Sequence, residues 1–167
     1  MPYDASRIED RLLIVADQFA ALIAQDPFFA GAPAIPVVTE RLGDLNNKIT
    51  TALNKLGLAV VVVLPDGDQG QSTGDGLSLR VRLVAQIEEL VLINQTAAQQ
   101  AGVAYRPALA AAVRAMKAVH RQPNGLDLGA HLPGLNEFEC PESQPFRLIP
   151  AKACVTYHVT AYTTVEI

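Results

Sequence analysis

The sequence predicts an α+β fold, in which a single mixed or antiparallel β-sheet contains a long hairpin and about three helices pack mainly on one face. Segments 77–88 and 153–166 alternate apolar and polar residues, which is the period of a half-buried strand. Segment 58–64 is a continuous Val-rich run between Gly57 and Pro65, as is typical of a central strand. Three other segments repeat apolar residues at helical spacing.

The first helix is predicted to begin near Ile8 and to end before Asp26-Pro27, because a residue that precedes proline avoids the α region. Ser6 and Glu9 have the spacing of a capping box at its start, in which each side chain bonds a free backbone N–H of the first turn.

A second helix is predicted from about Glu40 to Leu56, with Gly57 as the residue that ends it in a left-handed conformation. A third helix, rich in alanine, is predicted to begin near Pro107 and to end before residues 123–125. An alanine-rich helix allows the backbones on both sides of the core to approach closely.

A short strand is predicted over Ile35–Val38, at an edge of the sheet because Pro36 has no N–H to donate. The residues Pro65–Gly76 are predicted to be a long polar loop that joins the two strands of the hairpin. One or two further short strands are expected around Phe138 and Phe146.

Composition limits the class of protein. Of the 167 residues half are hydrophobic and 18% are charged, which indicates one folded domain over residues 1–167. The net charge of −4 and the scattered basic residues argue against sequence-specific nucleic-acid binding. Residues 56–64 form the longest apolar run, which is too short to span a bilayer. Without a signal-peptide pattern at its start, the chain is expected in the cytoplasm with Cys140 and Cys154 reduced.

No segment carries a recognisable cofactor or metal motif. The run Asp66-Gly67-Asp68 resembles the start of a calcium loop, but the position that requires a bidentate Glu is Leu77. Glycine-rich phosphate-binding motifs are also absent from the sequence. We therefore expect no cofactor and no metal.

Catalytic pairs are not indicated either. Cys154 and His158 share one face of the last strand, but they lie too far apart for a nucleophile and its base. Glu88 and Glu89 are adjacent on a strand, so their side chains point to opposite faces. His158, between two threonines, is interpreted as a solvent-facing or interface residue. The prediction from these patterns is that the protein is not an enzyme.

Two stretches resemble a known family. The strand 77–87 runs into Glu-Leu-Val-Leu-Ile-Asn-Gln, and after an interval comes the alanine-rich helix 107–121. The last strand reads Ala-Cys-Val-Thr-Tyr-His-Val-Thr-Ala-Tyr over 153–162. This order of elements resembles the small tail-terminator and tail-completion proteins of long-tailed bacteriophages and prophages. The helix at 40–56 and the long segment 124–145 depart from the pattern.

The resemblance implies a structural protein that forms a homo-oligomeric ring, commonly a hexamer, at the head–tail junction of a virion. Its partners would be copies of itself, the tail-tube protein and head-completion proteins. It would be made in the cytoplasm of the bacterial host and would end in the tail. The loop residues Asp66, Asp68, Gln69 and Asp75 are predicted to contact a neighbouring subunit or to face the lumen, where acidic groups repel passing DNA.

Two alternatives stay open. A small enzyme or ligand-binding domain would build its site from the loops near Asn94–Tyr105 and Asn124–Pro145, since Asn94 marks a turn in the sequence. An adaptor of bacterial secretion or contractile machines has the same sequence features as the phage protein.

Overall fold

The computed structural model describes residues 4–40, 43–69, 78–126, 136–150 and 154–166. In these residues the chain forms five helices and five strands. The helices are α1 (Ile8–Gln25), α2 (Pro27–Ala30), α3 (Leu45–Leu56), α4 (Val91–Ala101) and α5 (Ala108–Val119). The strands are β1 (Val37–Thr39), β2 (Leu58–Gln69), β3 (Ser78–Glu89), β4 (Phe146–Ile149) and β5 (Val155–Glu166).

The five strands form one sheet in the order β1-β2-β3-β5-β4. β1 pairs with β2 in parallel, and every other neighbouring pair is antiparallel. β3 pairs with β5 along its whole length, from Ser78 opposite Glu166 to Glu89 opposite Val155. The predicted α+β fold with a mixed sheet and a long hairpin is confirmed.

One face of the sheet carries the core. From Val81 along β3 and from Val159 along β5 every second residue is buried, as the alternation of the sequence predicts. Helices α1 and α5 cover this face, and the five Ala and Val residues of α5 that are buried let it lie close to the strands. Phe19 of α1 packs edge-to-face on Phe138, with ring centroids 5.3 Å apart. The large side chains here that are wholly buried include Ile23, Val60, Val81, Leu83 and Ile87.

Helix α3 lies on the opposite face, beside β1. Val37 pairs with Val60 and contacts the core, so its neighbour Val38, paired with Val61, points to the other face. Val38 lines a hollow together with residues of α3, which places this helix across the sheet from α1 and α5. The helices are therefore mainly, but not all, on one face.

The ends of two predicted helices differ from expectation. Arg7 is the N-cap residue of α1, and its own side chain forms an ion pair of 2.6 Å with Glu9, so the capping box of Ser6 and Glu9 is wrong. The hydrogen bond from Arg7 lowers the pKa of Glu9. Helix α3 begins at Leu45 rather than Glu40, whereas its end at Gly57 (φ 69°) is confirmed.

Strand β2 is longer than predicted and continues through Pro65 to Gln69. Its pairing with β3 shifts register between Val63 and Asp66, an irregularity that accommodates a residue without an N–H. The short strands predicted at Ile35–Val38 and around Phe146 are confirmed as β1 and β4, whereas Phe138 lies between two isolated bridges.

Candidate interaction surfaces

The sheet ends in two short strands that have a neighbour on one side only among the described residues, β1 and β4. An edge strand leaves a row of backbone N–H and C=O groups directed away from the sheet. On β4, Arg147 and Leu148 are also exposed. These two edges are the first candidate surfaces for contact with another protein.

An apolar hollow lies beside the β1 edge. It has a volume of about 480 Å³, and its apolar lining includes Pro36 and Val38 with Ala52 and Leu56 from α3. Its polar lining includes Asp44, Asn47, Lys48 and Lys55. A hollow of this size is within the range of small-molecule pockets, and its titratable lining residues are Asp44, Lys48 and Lys55.

Exposed apolar side chains gather at one end of the sheet, where β3 ends and β5 begins. Leu92 is 79% exposed and follows β3, Leu109 is 48% exposed in the first turn of α5, and Leu148 is 55% exposed on β4. Val91 and Tyr105 are exposed as well. We call these five residues the apolar end. Exposed apolar groups in one region are typical of a surface that another protein covers.

Along β3 and β5, the sheet face opposite the core carries polar side chains. Here the Arg80 guanidinium lies 4.3 Å from the centre of the Tyr162 ring, and His158 Nε2 lies 3.2 Å from Gln86 Oε1. Burial lowers the pKa of His158, and the nearby charges of Arg147 and Arg82 lower it further. His158 is therefore half-buried in a row of cross-strand contacts rather than free in solvent.

We expect His158 to make folding pH-dependent. Its pKa in the folded chain is below the ordinary value of 6.5, so the unfolded chain takes up the proton first as the pH falls. The free energy of unfolding should therefore drop between about pH 7.5 and about pH 5. In H158Q, which keeps a polar group beside Gln86, the drop should be smaller. Urea titrations of both proteins at the two pH values measure this difference, and equal drops would contradict the assignment.

A buried polar cluster centres on Glu89, which is 2% exposed. Its carboxylate accepts hydrogen bonds from Asn94 Nδ2 (2.8 Å), the Tyr105 hydroxyl (2.5 Å) and the backbone N–H of Ala108 (2.7 Å). Burial and the Glu89 carboxylate raise the pKa of Tyr105 to about 12. Since Ala108 is the first residue of α5, the cluster fixes that helix to the end of β3.

This cluster corrects the prediction around Asn94. Asn94 is not a turn but a buried residue inside α4, held by Glu89 and by the carbonyl of Arg106. The loop expected at Asn94–Tyr105 is therefore mostly helix. Arg106 in turn donates to the carbonyl oxygens of Phe28 (2.9 Å) and Pro33 (2.5 Å). The buried polar side chains described in this region bond the fold itself, so the region has the character of a structural support.

The second predicted enzyme loop, Asn124–Pro145, is described in part. Arg121, Glu137 and Glu139 line a polar hollow of about 130 Å³ with Arg80 and Tyr162. This volume is below the range of ordinary ligand pockets. Asn124 is wholly buried and bonds Thr163 (2.9 Å), which explains a polar residue on the core face of β5.

Three of the four predicted subunit-contact residues lie in the described part of the chain. Asp66, Asp68 and Gln69 belong to strand β2 and not to a loop, and the register sets Asp66 opposite Arg82 and Asp68 opposite Arg80. Long cross-strand pairing with β3 continues the strand past the Pro-Asp-Gly sequence that predicted a loop. Asp75 lies outside the described residues.

The cysteines and histidines are dispersed. Cys140 is buried and Cys154 is half-buried, and both are free thiols. Burial raises the pKa of Cys140 to about 11, so its thiol is not activated. His120 Nδ1 accepts from the Cys140 N–H at 3.2 Å, and His131 lies outside the described residues. Within the described ranges, no three side chains of His, Cys, Asp or Glu gather to hold a metal ion.

No family model matches the chain, and no curated protein matches it. In the part of the chain that the structure describes, none of the helices has the length and apolar character needed to cross a membrane.

Proposed function

We propose that the chain is a structural protein of the tail-terminator or tail-completion type, which closes into a homo-oligomeric ring at the head–tail junction of a phage or prophage particle. The observation that carries the proposal is the pair of edge strands, β1 and β4, at opposite sides of one sheet, each with a single neighbour among the described residues. A ring of identical subunits requires two different surfaces on each copy, because its contacts are heterologous and close by rotation.

The ends of the sheet support a second kind of contact. When the strands run along the axis of a ring, one end of every sheet faces one side of the ring. The apolar end of every copy then faces that same side, where a tail-tube or head-completion protein can stack on it. The hairpin end, with Gln69 opposite Leu79, faces the other side.

Of the proposed subunit-contact or lumen-facing residues, Asp66, Asp68 and Gln69 belong to the last part of β2, and Asp75 lies outside the described residues. The register sets two of the aspartates of β2 opposite two arginines of β3, so acidic and basic residues lie on neighbouring strands. A surface of mixed sign does not hold DNA phosphates, which suits a channel through which DNA passes. The protein is made in the host cytoplasm in this proposal and acts in the virion tail.

The alternative of a ligand-binding domain is favoured by one observation, the apolar hollow of about 480 Å³ beside β1. An enzyme is favoured by none, because the polar hollow at Arg121 is small and the Glu89 cluster is satisfied by the fold. We therefore place the ring first.

Electron microscopy of the purified protein tests the proposal. Negative-stain class averages should contain closed rings with a central channel, and end views should give one dominant copy number. Six copies is the number that the family resemblance implies. Averages that contain only compact particles without a channel would contradict the ring.

A further inference from the structure

We infer that the β4 edge of one copy pairs with the β1 edge of a second copy as antiparallel strands, so that the sheet continues from subunit to subunit. This inference rests on the proposed ring and specifies the surfaces that form it. The occupant of each edge is therefore a second copy of this chain.

The backbone groups that point outward can be assigned at both edges. At β4, the Thr160 N–H donates to the Pro145 carbonyl (3.0 Å). Because hydrogen-bonded and non-hydrogen-bonded pairs alternate along an antiparallel ladder, the backbone N–H and C=O groups of Phe146 and Leu148 are directed away from β5. At β1, Val60 N–H donates to Pro36 (3.0 Å) and Glu40 N–H donates to Val62 (2.9 Å). The outward residues there are consequently Val37 and Thr39.

The side chains of these outward residues all lie on the core face of the sheet. Val37 pairs with Val60, Phe146 pairs with Val159 and Leu148 pairs with Tyr157, each of which belongs to or contacts the core. In an antiparallel pair, residues directly opposite each other share a face. Joining Val37 to Leu148 and Thr39 to Phe146 therefore continues the core face without turning a subunit over.

Strand directions agree with this joint. β1 runs parallel to β2, and three antiparallel steps follow across β3, β5 and β4. β1 and β4 thus run in opposite directions, so the β4 strand of one copy meets the β1 strand of the next as an antiparallel neighbour. Each edge has two outward residues, and each of these residues presents one backbone N–H and one carbonyl. The two edges therefore present the same number of donors and acceptors at the same spacing.

Arg147 favours this joint over pairing of two β4 edges. A β4–β4 dimer with full overlap of the outward residues would set the two Arg147 side chains directly opposite each other on the polar face, where like charges destabilise a pair. In the β4–β1 joint Arg147 lies opposite Val38 instead, at the apolar hollow. Its aliphatic stem can cover that lining.

Thiol cross-linking tests the joint. In a C154S background, where the remaining Cys140 is buried, V37C and L148C proteins are treated with a short bismaleimide, alone and after mixing. We expect cross-linked dimers from the mixture and little product from either single variant alone. The V37C/L148C double variant should give a series of cross-linked products whose largest member has the number of copies in the ring. Products from L148C alone would overturn the inference in favour of a β4–β4 pair.

A second pair of variants acts on the backbone alone. Proline at position 148 removes an N–H that points out of the sheet, so L148P leaves the pairing of β4 with β5 intact, whereas L148A keeps the N–H and shortens the side chain. We expect L148P to raise the dissociation constant of assembly at least about tenfold above that of L148A. If the parent protein forms rings, L148P assembles as tightly as L148A, and the cysteine variants give no cross-links, this joint is overturned while the ring itself stands. A parent protein that is monomeric would contradict the ring proposal instead.

Discussion

Substitution of Gly57 by alanine should destabilise the fold by about 4 kcal/mol, the largest single-methyl effect that we expect in this chain. Gly57 has φ 69°, and an added Cβ would lie 2.2 Å from the backbone N of Asn94 and 2.6 Å from its Cα. Backbone atoms inside a helix cannot move aside as the end of a side chain can. Either α4, whose Asn94 bonds Glu89, or the end of α3 must therefore shift.

Gly102 provides the matched control for this prediction. It also ends a helix in the left-handed region, with φ 66°, but an added Cβ there meets nothing within 4 Å. G102A should therefore cost only the conformational penalty, about 1 kcal/mol. Urea unfolding of G57A, G102A and the parent separates the two contributions. Equal losses in the two variants would show that the contact with Asn94 does not constrain the fold.

Substitution of Glu89 by alanine is the second large effect, with an expected loss of about 3 kcal/mol. The change removes the acceptor of three donors, on Asn94, Tyr105 and Ala108, of which Asn94 and Ala108 are buried. It also removes the negative charge at the first turn of α5. Chemical unfolding monitored by circular dichroism measures the loss.

Glu88 is the control for Glu89, because it is adjacent in sequence but points to the polar face and is half-buried. E88A should cost less than about 1 kcal/mol. E89Q keeps the volume of the side chain but directs an NH2 group at donors, so its loss should fall between those of E88A and E89A. A loss in E89A no greater than that in E88A would contradict the role assigned to the cluster.

The fold was predictable where burial follows the period of the element. The alternation of residues 77–88 and 153–166 predicts β3 and β5, because one face of each strand packs on α1 and α5 while the other carries polar groups. Gly57 was predictable as a helix end because a left-handed residue is required there.

The missed features depend on contacts between distant parts of the chain. Helix α4 has no apolar stripe, and its buried Asn94 is satisfied by Glu89 and the Arg106 carbonyl, so local pattern indicates a turn. Strand β2 continues through Pro65-Asp-Gly because the long β3 strand pairs with it. The open edges likewise have no signal of their own, since an edge is defined by which strands lie beside it. Only Pro36 indicated an edge in the sequence.

Native mass spectrometry over a wide range of protein concentration tests the central claim most directly, namely that the chain functions by closing into a ring. We expect a single assembly whose mass is a fixed multiple of the 17.8-kDa chain, six copies in the arrangement that the family resemblance implies. Closure predicts that no larger species forms as the concentration rises, because every edge is already paired. Monomers alone across the whole range, or a series of masses without an upper limit, would contradict it.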